Sequence, residues 1–139
     1  MEFSFNWLAI LAATLSAFVV GFLWYGPLLG KAWMEAAGIS KEQVDAGNMI
    51  RTFSLAFVLQ LIMAFCLAMF FYGGGEEAAA LINATNGALY GFLTGFGWVA
   101  AALSVTALFE QRSFRYMAIN GGYWVVVFTL MGLILGAWK

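Results

Sequence analysis

Residues 5–35 read FNWLAILAATLSAFVVGFLWYGPLLGKAWME. The first part of this stretch, up to Trp24, contains no charged residue. At a rise of about 1.5 Å per residue, an apolar run of about 20 residues crosses the hydrocarbon core of a bilayer. The run is followed by Trp24 and Tyr25, then by Gly26 and the chain's one proline, Pro27. Proline donates no N–H, clashes with the preceding helical turn and pushes the residue before it out of the α region. Glycine tolerates the conformations that end a helix. The stretch therefore predicts a membrane helix that stops at Gly26-Pro27, with Trp24 and Tyr25 as an anchor at the membrane–water interface.

Beyond the stop, the residue pattern predicts a short helix over residues 28–37. At about 100° per residue, Leu29, Ala32, Trp33 and Ala36 share one face and Lys31 and Glu35 the other. That is the pattern of a helix lying in the interface plane. Gly38 is placed to end it. Ser40 with Gln43 resembles a capping box opening another short helix, with Glu42 and Asp45 near its positive end.

Composition agrees with a membrane protein. The chain has 139 residues, 64% of them apolar and 9% charged, and a mean hydropathy of +0.90. Soluble domains carry about a quarter charged residues, so this chain lacks the polar surface to cover itself in water. Its net charge of −1 offers no field for nucleic acid. There is no histidine, which removes the commonest general base and transition-metal ligand. The single cysteine, Cys66, forms no intrachain disulfide, and its neighbours Phe65 and Leu67 predict a buried thiol. No catalytic, cofactor-binding or metal-ligating set stands out, and we expect a non-enzymatic protein without cofactor or metal. The N-terminal flank carries the acidic Glu2, and the apolar run is too long for a secretory signal. A retained first helix is expected.

Four apolar runs qualify as spans, at about residues 5–24, 52–72, 86–109 and 117–138, in a single membrane domain. The fold expected is an all-α membrane protein: four transmembrane helices in a bundle plus the interfacial helix. Lys31, Lys41 and Arg51 lie between spans one and two, and Arg112 and Arg115 between spans three and four. The other side has Lys139 alone, with Glu76 and Glu77 in its loop. Basic loops stay in the cytoplasm, so both termini are expected outside it. Trp7, Tyr72, Tyr90 and Trp138 then fall near the outer interface. Asn83-Ala84-Thr85 matches a glycosylation sequon of the kind that arises often by chance.

Lipid tails are as apolar as leucine, so close backbone approach, through small residues four apart, must hold the spans together. Span one has Ala9, Ala13, Ala17 and Gly21. Span two has Ala56, Ala64 and Ala68, with Gln60 in the fourth place. Span three has Gly87, Gly91 and Gly95, and span four Gly132 and Gly136, with Gly121 and Gly122 below. Such a stripe faces a helix of the same chain or of a second copy. We expect a homo-oligomer, with membrane lipid as the other partner and no nucleic acid.

Polar groups at depth need partners. From the inner ends of their spans, Gln60 lies at about 12 Å, Ser16 at about 14 Å, Trp98 at about 15 Å and Thr129 at about 18 Å. One polar layer is expected, with Trp98 on the face of Gly95. It is either interhelical hydrogen bonding, at about 0.6–2 kcal/mol each, or a constriction for a small solute. Asn120 has the same two readings. No charged residue lies inside a span, which argues against proton-coupled transport and leaves a passive pore open.

At the hinge the chain resembles a known family. GFLWYGPLLGKAWM, GALYGFLTGFGWVAAAL, LFEQRSF and INGGYWVVVFTLMGLILGAW are similar to the domain-of-unknown-function family numbered 1761, small bacterial integral membrane proteins. Trp24, Tyr25, Gly26, Pro27 and Trp33 carry the first motif, which departs at Leu29, where phenylalanine is expected. The resemblance implies four spans and the bacterial inner membrane, and no activity. The functional expectation is a self-associating structural or accessory protein, with a small channel or facilitator as the alternative. A membrane enzyme has the least support, since no nucleophile–base pair is visible.

Overall fold

The computed structural model describes residues 5–139, and Glu2 lies outside them. The chain forms α1 (Trp7–Leu23), α2 (Gly30–Ala37), α3 (Lys41–Ala46), α4 (Met49–Tyr72), α5 (Glu76–Ala80), α6 (Ala84–Thr94), α7 (Ala101–Phe109) and α8 (Phe114–Ala137). A wide π-type turn at Trp24–Leu28 extends α1, and another at Gly95–Ala100 joins α6 and α7 into one rod. Four helices, Trp7–Leu28 with a kink at Gly26, Met49–Tyr72, Ala84–Phe109 and Phe114–Ala137, are long and apolar enough to cross a membrane. This is a multi-pass membrane protein with an all-helical fold, and these are spans one to four.

Each span opens on a polar cap. The side chains of Asn6, Asn48, Asn83 and Ser113 accept from the backbone N–H of Ala9, Arg51, Asn86 and Tyr116. The first N–H groups of a helix have no partner within it, and such a cap contributes about 1 kcal/mol. The asparagine of the sequon therefore has a structural task, as the cap of α6. Gly38 ends α2 with φ of 69°. The capping box forms as well: Gln43 N donates to Ser40 Oγ (3.1 Å) and Ser40 N to Gln43 Oε1 (2.8 Å).

The spans are ordered three, four, one, two. Span four packs on span three on one side and on span one on the other, while span two packs mainly on span one. The core between them holds Ile10, Ala13, Ala17, Ala64, Leu67, Val127, Met131 and Leu135. Spans two and three touch through Phe71 and Tyr90, whose ring centroids lie 6.3 Å apart. The opposite end of α4, from Met49 to Leu55, is exposed.

The two ends of the bundle differ in charge. At one end Arg115 pairs with Glu35 (3.2 Å), and Arg112 Nη1 donates to the Ala37 carbonyl (3.2 Å), tying α2 to the loop after span three. At the other, Asn6 Nδ2 donates to Trp138 O (3.3 Å) and Lys139 Nζ to Ala79 O (3.1 Å).

The glycine stripes of spans three and four face each other. A Cβ placed on Gly87 would run into the Gly132 carbonyl and lie 3.1 Å from Gly136 Cα. One on Gly91 would meet the Phe128 carbonyl and lie 3.2 Å from Gly132 Cα. Bare backbones here make the close approach that replaces hydrophobic burial in lipid. Gly87, Gly91 and Gly95 of span three are thus spent inside the chain, and give no support to a contact with a second copy. Gly21 of span one likewise meets span four, since a Cβ there would lie 3.2 Å from the Tyr123 hydroxyl.

Candidate functional site: a polar cluster around Tyr123

Tyr123 stands on α8 where spans one, two and four meet, and is 6% exposed. Its hydroxyl donates to the Ala17 carbonyl on span one (3.0 Å) and accepts from Gln60 Nε2 on span two (3.3 Å). The room for this hydroxyl comes from Gly21, where any side chain would crowd it.

The hinge feeds two more aromatics into the cluster. Pro27 cannot donate to the carbonyl of Leu23, and Gly26 leaves helical geometry (φ −105°, ψ −108°). The turn widens, with Leu29 N donating to Trp24 O (2.9 Å). Trp24 Nε1 donates to the Ile119 carbonyl (2.9 Å), and the indole lies over Gly122, where a Cβ would approach within 3.1 Å. The Tyr25 hydroxyl donates to Asn120 Oδ1 (2.6 Å). The Tyr25 ring meets Tyr123 and Trp33 edge to face, at 5.1 and 5.2 Å between centroids. Trp24 and Tyr25, expected as anchors at the membrane–water interface, are half-buried, and their polar atoms bind span four. Trp33 joins the first span's end to α2 through Tyr25, while Lys31 faces outward.

Gln60 is 7% exposed, and its Oε1 has no hydrogen-bond partner among the described residues. The reason lies in proton counting. Tyr123 has one hydroxyl proton, which goes to Ala17 O, so it accepts from Gln60 and turns the amide's Nε2 toward itself. The carbonyl end is left buried without a donor, at a cost of about 1–3 kcal/mol.

The other members of the expected polar layer do not join. Ser16 Oγ donates to Ala13 O (2.6 Å) and Thr129 Oγ1 to Val125 O (2.7 Å), each within its own helix. Trp98 is 71% exposed and off the face of Gly95, which is buried. The cause is the wide turn at Gly95–Ala100. There each residue advances less around the axis than the about 100° of an α-helix, so the inward place after Gly95 passes to Ala100. Cys66, expected to be buried, is exposed on the outer side of α4.

The sequence points to Gln60, Asn120, Trp24 and Tyr25 but not to Tyr123, which meets Gln60 and Tyr25 directly and Asn120 through Tyr25. A signal was available: a phenol two residues after Gly121, within an apolar span, needs a partner for its hydroxyl. Chemically the cluster offers neutral donors and acceptors and no charged group, so it can orient a polar group or lock helices.

A family model described as "Protein of unknown function (DUF1761)" matches residues 8–136 of the chain. No curated protein and no solved structure matches it.

Proposed function

We propose a role for this chain, which belongs to the DUF1761 family of proteins of unknown function: it is a non-enzymatic membrane protein of the bacterial inner membrane that self-associates and acts as a structural or accessory component. One observation carries the reading. On span three, outside the seam used within the chain, Gly97 has nothing within 4 Å of a Cβ placed on it, and Ala101 is exposed four residues on. A bare backbone spot on an exposed helix face is where another membrane helix can come close. The measurement is the protein's mass in detergent and in lipid nanodiscs. Native protein is expected as a dimer or larger, and Gly97→Leu as a monomer with native helix content. A native chain that is monomeric at all concentrations would remove the proposal.

The facilitator reading is favoured by Gln60 Oε1 alone, an unfilled acceptor deep in the bundle. It is the weaker reading, because Ser16, Trp98 and Thr129 line no common path with it. Solute flux into proteoliposomes, abolished by Gln60→Leu, would raise it above the first.

Both termini are placed outside the cytoplasm in this proposal. The support is charge: Lys31, Lys41 and Arg112 lie in the two connections at one end and Arg51 and Arg115 in the first turns of the spans that follow them, against Lys139 at the other end. A C-terminal alkaline phosphatase fusion is expected to be active and a C-terminal green fluorescent protein fusion dark. The opposite pair of results would invert the topology.

A further inference from the structure

α2, α3 and the turn between them border an open groove of about 250 Å³ that none of the preceding roles uses. It is lined by Lys31, Met34, Glu35, Ile39 and Lys41. We propose that this groove binds the phosphate of an anionic phospholipid between the ammonium groups of Lys31 and Lys41, with the lipid's glycerol and first methylenes over Met34 and Ile39.

Three observations lead to this. First, both lysines are exposed, and among the described residues neither has an ion-pair or hydrogen-bond partner. Second, the acid that ought to neutralise Lys31 is taken elsewhere. Glu35 lies four residues on, the spacing at which a helical Lys and Glu meet. Its Oε2 is instead held 3.2 Å from Arg115 Nη1, on the start of span four. Arg115 thereby keeps the Lys31 end of the groove positive. Third, the groove has the right depth and lining. α2 starts two residues after the first membrane helix ends at Leu28, and its Trp33 packs back on Tyr25. The groove therefore stands at the level where headgroups lie. Met34 and Ile39, joined by the Ile39 N to Met34 O bond (3.0 Å), supply an apolar strip that a free inorganic ion would not need.

The test is retention of lipid by the full chain, read by native mass spectrometry after exchange into nanodiscs of equal phosphatidylglycerol and phosphatidylcholine. Native protein is expected to retain phosphatidylglycerol preferentially. Lys31→Gln and Lys41→Gln should each lower that preference about fivefold. Lys31→Arg and the distant Lys139→Gln should keep it. Arg115→Gln should lower it too, by freeing Glu35 to pair with Lys31, and adding Glu35→Gln should restore it. That restoration is not expected if Arg115 merely adds charge, so it tests the arrangement even where a lysine variant folds poorly. Equal retention of the two lipids by native protein, or lysine variants with native preference, would overturn the proposal. So would inorganic phosphate at millimolar concentration displacing the bound lipid, since the site would then be one for a free anion.

Discussion

Replacing Gly132 with leucine is expected to cause the largest loss of stability of any single change in the membrane spans. The Cβ alone would fall into the Gly87 carbonyl and lie 3.1 Å from Gly91 Cα. Both obstacles are backbone, so no rotamer change relieves them. Overpacking that side chains can absorb costs about 1–3 kcal/mol. Here spans three and four must separate instead, giving up the contacts of Gly87, Gly91 and Gly136 together. A cost at or above the top of that range is a large share of the about 5–15 kcal/mol that holds a typical protein folded. Thermal unfolding in detergent, followed by tryptophan fluorescence, should show a midpoint many degrees below native. Ile62→Leu, at an exposed position of span two, is the control, and its effect should stay within about 0.5 kcal/mol. Equal melting of Gly132→Leu and native protein would mean that the seam is not formed in the membrane.

Tyr123→Phe is expected to destabilise more than its single lost hydroxyl suggests. An interhelical hydrogen bond in a membrane averages about 0.6 kcal/mol, and on that scale the change would be mild. The hydroxyl, however, is the only partner of Gln60 among the described residues, which leave its Oε1 unpaired. Removing it leaves a whole amide buried and unsatisfied, at about 1–3 kcal/mol. Gln60→Leu removes both the need and the partner, and should cost less than Tyr123→Phe. The double variant should be more stable than the sum of the two single losses predicts. Strict additivity in this cycle would show that the two side chains do not interact.

The four spans, the proline stop, the short helix after it and the capping box at Ser40 could all be read from residue order. Each depends on local physics: apolar run length, the missing N–H of Pro27, the reach of Gln43 to the backbone of Ser40. The glycine stripes were legible too, but not their partners, because a small residue marks a close approach without saying to what. Trp98 shows where periodicity fails. Uniform α-helical steps would put it on the face of Gly95, and a single wide turn at Gly95–Ala100 moves it outward. Trp24 and Tyr25 have the composition of an interfacial belt, and only the geometry of the turn sends them to Ile119 and Asn120. Cys66 was judged by its apolar neighbours, which in a membrane describe lipid as well as they describe a core.

The order of the spans also bears on how the protein is made. Span four touches the other three spans and is the last of the four to leave the ribosome. Until it arrives, the glycines of span three face lipid, and Trp24, Tyr25 and Gln60 have none of the acceptors and donors that α8 supplies. The bond from Asn6 to Trp138 closes a loop of 132 residues. The first three helices must therefore wait in the bilayer, polar groups unmatched, and the final helix completes them by entering between spans already in place.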